Sequence, residues 1–146
     1  MVQVISATLQ PSLCATGESE PQQLRVGLYQ MKWYDDASKH LQQLHAGVAA
    51  CAHAGAQIVF LPELTLSRYP ADKRPESSSD LQPEDISNGR TVAFAKDAAR
   101  ENDVFVQVSL YEQAARDDGL GFNTAVLVAP NGEIAAQTRK LHIPVT

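Results

Sequence analysis

The sequence has little cysteine, no long apolar run and no surplus of positive charge, and each shortage removes a class of function. Cys14 and Cys51 are the only cysteines; two thiols cannot build a disulfide framework, and neither has a partner at zinc-site spacing. No apolar run approaches the roughly 18 residues needed to cross a bilayer, and the opening MVQVISATLQPSLCATGESEPQQ lacks the basic start of a secretory signal. Reduced thiols in the cytoplasm are therefore the expectation. Lys and Arg number 12 against 17 Asp and Glu, a net charge of -5, and no basic cluster is present to hold a phosphate backbone. Neither nucleic acid nor a membrane is expected as a partner. No glycine-rich loop follows the first strand signal, where bulky Gln30-Met31-Lys32-Trp33 stand instead, which argues against a flavodoxin-like ligand-binding domain. Internal repeats are absent too.

What is present is a globular composition, 44% apolar and 20% charged over 146 residues, enough for one domain with a core. Residues 1–23 carry Pro11, Gly17, Pro21 and several polar residues and are expected to be a poorly ordered extension. Leu24 to Gln30 alternates as a short strand does. Asp35 or Asp36 then offers a helix cap, and Ala37, Leu41, Leu44, Val48, Cys51 and Gly55 form one helical face. Gln57 to Leu61 is almost wholly apolar, which predicts a strand covered on both faces. A polar loop from Ser67 to Asn88 leads to a second helix over about Gly89 to Glu101, closed by Asn102, and then to an apolar strand, Val104 to Leu110. Ala114 to Gly121 is a charged turn region. Asn123–Ala129 and Glu133–Thr138 flank Pro130-Asn131-Gly132, an Asn-Gly step that suits a tight hairpin. The order β-α-β-α-β followed by a hairpin predicts an α/β fold with a mostly parallel sheet.

Two segments carry candidate chemistry. Ligand crevices in open α/β sheets lie beyond the carboxyl ends of the strands, and Phe60-Leu61-Pro62-Glu63 puts a carboxylate there. Thr138-Arg139-Lys140-Leu141-His142-Ile143-Pro144 places cations and a histidine directly after a hairpin strand. Each also has a plain reading, as surface charge at a strand end. His40, His45, Cys51 and His53 cluster in sequence, but helical geometry points them to different sides. They are read as polar-face residues, with no metal site.

Taken together in order, RVGLYQ, the Pro62-Glu63 pair, Tyr69 six residues on, FNTAVLVAPNGEI and RKLHIP resemble the nitrilase superfamily of carbon-nitrogen hydrolases. The likeness covers about residues 24–146. It implies the N-terminal half of a nitrilase-like αββα sandwich, in which Glu63 is the general base, Lys140 the cationic catalytic residue and Tyr69 a lining residue of the substrate pocket. Substrates would be small amides or ureido compounds, no cofactor is called for, and family members usually associate as dimers or larger. The RKLHIPVT ending is similar to the N-carbamoylputrescine amidase branch. Two departures concern the pocket: Arg68 stands where a glycine often precedes the tyrosine, and Thr138 where an aromatic often precedes the Arg-Lys pair. His142 would support the strand end.

The chemistry explains these residue types. Thiolate attack on an amide carbon splits one hard step into two easier ones; a carboxylate must take the thiol proton, most effectively with a pKa raised by burial; and a fixed donor must meet the charge that develops on the carbonyl oxygen. The resemblance puts the nucleophilic cysteine several tens of residues after the lysine, whereas six residues follow Lys140 here. Cys51 lies on an apolar stripe, where a thiol acts as a small hydrophobe, so residues 1–146 alone are expected to be inactive. The alternative is a non-catalytic truncated paralogue that serves as an interaction subunit. The hydrolase reading requires Glu63 and Lys140 to converge on one cleft.

Overall fold

Short apolar strands alternate with amphipathic helices in a computed structural model that describes residues 2–7, 23–68, 82–115 and 121–141. The elements are β1 (Val26–Leu28), α1 (Ala37–His53), β2 (Ile58–Phe60), α2 (Arg90–Asn102), β3 (Phe105–Glu112), β4 (Phe122–Val128) and β5 (Ile134–Arg139). They form one five-stranded sheet in the order β1-β2-β3-β4-β5. The first three strands are parallel, and β4 and β5 return antiparallel. Because successive parallel strands step across the sheet in one direction, crossovers of a single hand put α1 and α2 on the same face.

Local chemistry sets the element ends. Asp36 caps α1, its carboxylate accepting from the Lys39 amide at 3.0 Å. Gly55, with φ +84°, turns the chain out of α1. Asp103 in the left-handed region ends α2, one residue beyond the expected Asn102. At the α2 start, where Gly89 brings no side-chain cap, the buried carboxylate of Glu84 accepts from the Thr91 amide at 2.8 Å and its hydroxyl at 2.7 Å. In the hairpin, the Ala129 carbonyl accepts from Gly132 at 2.8 Å, and Gly132 alone of the Asn-Gly step takes positive φ.

The core lies between the helices and one face of the sheet, where Leu44, Val48, Val92 and Ala95 meet Val59, Val106, Val108, Leu110, Val126 and Val128. Among the described residues the opposite face carries no helix. Leu28 is 77% exposed, Val26 46% and Phe60 37%, which corrects the expectation that β2 is covered on both sides: only Val59 of its three residues is buried. The apolar run is therefore real but half of it faces outward. No helix among the described residues is long and apolar enough to cross a membrane.

Candidate active site

Glu63 follows β2 in a tight turn at the carboxyl edge of the sheet, on the helix-free side. The next residue, Leu64, is buried with φ 51°, a costly conformation for a branched side chain that persists only where the surroundings enforce it. The surroundings here are specific. Thr65 donates its amide to the Ser109 carbonyl at 2.8 Å and receives the Ser109 amide on its hydroxyl at 3.0 Å, which ties the turn to β3. The Thr65 hydroxyl also donates to the Pro62 carbonyl at 2.9 Å, and the His40 imidazole Nε2 lies 2.9 Å from the Thr65 carbonyl. A turn held at both ends aims the Glu63 carboxylate across the sheet face.

Lys140 arrives from the far edge. In β4, Thr124, Val126 and Val128 are buried toward the helices, so by strand alternation Asn123 and Ala125 face the open side. Lys140 pairs with Asn123, its amide donating to the Asn123 carbonyl at 2.8 Å. The Lys140 ammonium then lies 3.0 Å from Glu63 Oε1, and the Asn123 amide group donates to the same oxygen at 2.6 Å. Ser109 Oγ donates to Asn123 Oδ1 at 3.3 Å, fixing which end of the amide faces the carboxylate. Among the described residues, Glu63 Oε2 accepts no hydrogen bond. The acid, the ammonium, Asn123, Ser109, Gln107 and Thr138 line one concavity of about 470 Å³. One carboxylate oxygen is held by two donors, and among the described residues the other meets none.

The residue pattern and the fold both match known proteins. Residues 25–146 match the family model for carbon-nitrogen hydrolase. A nitrilase of Pyrococcus abyssi is 31% identical over 108 residues, covering 74% of this chain and 39% of that protein. A citrullinase of Francisella tularensis is 26% identical over 121 residues, 83% of this chain and 41% of that protein. The crystal structure of a carbon-nitrogen hydrolase from Helicobacter pylori superposes with a TM-score of 0.66 at 26% identity, over 83% of this chain and 40% of that one. The chain belongs to the carbon-nitrogen hydrolase family. It spans about two fifths of the length of these relatives, and its α/β sheet with one bare face corresponds to part of their fold.

Within this carbon-nitrogen hydrolase chain, several expectations change. Glu63 does not have a raised pKa. The hydrogen bond from Lys140 lowers it, with Asn123 adding to that and burial opposing it, because the bare sheet face leaves the carboxylate 45% exposed. His40 is not on a polar face: it is 6% exposed, bonded to the Glu63 turn and packed with its ring centre 4.3 Å from that of Trp33 at a tilt of 45°. His45 edges onto Phe94 at 4.9 Å, and only His53 is simply exposed. No group of three metal-ligating side chains occurs among the described residues. Cys51 packs against Gly27 on the helix side, away from Glu63, and burial pushes its thiol pKa up. Tyr69, His142 and Cys14 lie outside the described residues, as does most of the expected N-terminal extension.

Asn123 and Ser109 were not singled out by sequence. Their signal was nonetheless available, since an asparagine and a serine inside strand segments disfavour the sheet unless their polar groups are used. Glu112 was also missed. It is 4% exposed, and its two oxygens receive Arg139 Nε at 2.9 Å and Nη2 at 2.6 Å, with Thr124 Oγ1 at 2.6 Å. The Arg139 hydrogen bond holds the Glu112 carboxyl below the usual glutamate value.

Acid sensitivity follows from the two lowered carboxylates. A group with a depressed folded pKa contributes stability that is present above its unfolded pKa, about 4.3 for glutamate, and is lost as pH falls through the folded value. The urea midpoint is expected to be flat from neutrality to about pH 5 and to fall at lower pH, with Glu112→Gln removing more of the slope than Glu63→Gln because Glu63 is half in water. An acid slope untouched by either substitution would assign the sensitivity to other groups.

Proposed function

We propose that this chain supplies the acid-base and cationic half of a carbon-nitrogen hydrolase site for small amide or N-carbamoyl amine substrates. The observation that carries the reading is the 3.0 Å contact between Glu63 and Lys140 beside an open, apolar sheet face. In this reading Glu63 Oε2 takes the proton of a cysteine thiol that lies outside residues 1–146, and the thiolate bonds to the carbonyl carbon of the substrate. Lys140 and Asn123 lie beside the carboxylate; Lys140 stabilises the negative oxygen of the tetrahedral adduct. The protonated Glu63 then gives its proton to the leaving nitrogen, amine or ammonia departs, and the carboxylate activates water to release the acyl group. Covering the bare face with the second sheet of an αββα sandwich would dry the site and raise the Glu63 pKa toward the working range. The citrullinase relative carries a ureido compound in its name, and an omega-amidase of Arabidopsis thaliana, 25% identical over 118 residues, an amide; both chemistries fit the class, and the N-carbamoylputrescine amidase-like choice rests on the RKLHIPVT ending alone.

The test has two parts. Purified chain 1–146 should release no ammonia from simple amides or N-carbamoyl amines, and turnover that survives thiol alkylation would refute the reading. Titration of the chain with millimolar propionamide should shift the NMR signals of Glu63, Asn123 and Lys140, and these shifts should vanish in Lys140→Ala. Shifts confined to another surface would move the amide site elsewhere.

A further inference from the structure

We propose that the Glu112–Arg139 ion pair is the register lock of β5, committing Lys140 rather than Arg139 to Glu63. Two adjacent cations end this strand, and neighbouring strand residues face opposite sides of a sheet, so a slip by one residue would exchange them. β5 itself cannot choose. It is the edge strand, and all six of its residues are exposed, so no buried side chain of its own selects a register.

The pairing joins two registers in one ladder. Beside the hairpin turn Val128 stands opposite Ile134. Continued regularly, that register would put Arg139 opposite Asn123, on the Glu63 side, and Lys140 opposite Phe122, on the helix side. Instead the ladder breaks once: Leu127 faces Ala136, Ala135 is left over as a bulge, and pairing runs on to Thr124 opposite Arg139. A bulge leaves a residue unpaired and disrupts the ladder locally, so something at the far end must favour the shifted register.

Glu112 is the group in the right place. It ends β3 on the helix side, and the Arg139 fork spans β4 to reach both of its oxygens, at 2.9 and 2.6 Å, while the guanidinium lies 4.2 Å from the centre of the Phe122 ring. A planar fork matches a carboxylate bidentately and stacks on an aromatic face, whereas a lysine there would offer one point charge. The exchanged arrangement would forfeit that match and bring the fork to a carboxylate oxygen already held by Asn123. Arg139 and Glu112 are thus positioning residues, acting on the site through Lys140. Their importance for catalysis rests on the role proposed above for Lys140, but the register does not.

The experiment follows the Glu63 carboxyl carbon by NMR pH titration in glutamate-labelled chain 1–146, with the signal assigned by Glu63→Gln. The unsubstituted chain should titrate below the ordinary glutamate value. Glu112→Gln should exchange one cation for the other at Glu63 and leave the midpoint low, so its slip is read from cross-strand NOEs, which should move from Asn123–Lys140 to Asn123–Arg139. Arg139→Gln removes the fork and, after the slip, sets a neutral side chain against Glu63, so its midpoint should rise toward the ordinary value. Deleting Ala135 lets a continuous ladder reach the observed far-end register, so combining the deletion with Arg139→Gln should restore the low midpoint, which the loss of a distant charge alone would not allow. The lock is overturned if the NOEs of Glu112→Gln stay at Asn123–Lys140, or if the deletion fails to restore the midpoint of Arg139→Gln. An ordinary midpoint in the unsubstituted chain instead removes the Glu63–Lys140 pair, and with it the reading under Proposed function.

Discussion

Glu63→Gln is expected to lower kcat by about 10²- to 10⁴-fold in any polypeptide that joins residues 24–146 to the nucleophilic cysteine of the domain. Glutamine keeps the shape of the side chain and can still accept from Lys140, but it cannot take a thiol proton. Lys140→Met should cost about 10²- to 10³-fold, the loss typical of one fixed donor to a developing oxyanion. The pair meets at 3.0 Å and serves one proton transfer and one charge, so the double variant should fall well short of the product of the single losses. Steady-state ammonia release checks all three. If Glu63→Gln retains activity within a few-fold, the base lies elsewhere and the contact with Lys140 is structural.

Leu110→Ala should destabilise the chain by about 2–5 kcal/mol, whereas Leu28→Ser should be close to neutral in residues 1–146. The two leucines have similar hydrophobicity but opposite surroundings. Leu110 is 0% exposed on the helix side of β3, while Leu28 is 77% exposed on the bare face. Truncating Leu110 removes packed atoms and leaves a cavity in a close-packed interior; truncating Leu28 changes a surface already in water. Urea denaturation midpoints at neutral pH measure the difference. A large loss at Leu28 would mean that the bare face is covered in solution, and size-exclusion mass would then reveal the second copy that covers it.

The order of elements was readable because it rests on short-range physics. Strand alternation, the four-and-three spacing of α1, the Asp36 cap and the positive-φ glycines at 55 and 132 are each decided within a few residues. Errors of one or two residues at the strand ends, and Asp103 in place of Asn102, are the ordinary imprecision of such signals. His40 was misread for a related reason. Helical angle alone put it with the polar residues, but the turn after β2 gave one ring nitrogen a partner, 2.9 Å to Thr65, and the segment before α1 gave the other, 3.4 Å from the Tyr34 amide.

By itself, the sequence determined which residue types stand at the ends of β2 and β5, an acid at 63 and a lysine at 140, and the alternating elements that carry them there. Tertiary structure decided the rest of the site. Asn123 reaches Glu63 across 60 residues of chain, and Lys140 across 77, and only the lateral order of the strands sets such distances. The same order brings the Lys140 ammonium to Glu63, and the hydrogen bond from Lys140 moves its pKa down against the upward effect of burial. Which of two adjacent cations faces the acid depends on one unpaired residue in an edge strand, and strand alternation repeats every two residues, so a local pattern reads equally well in either register.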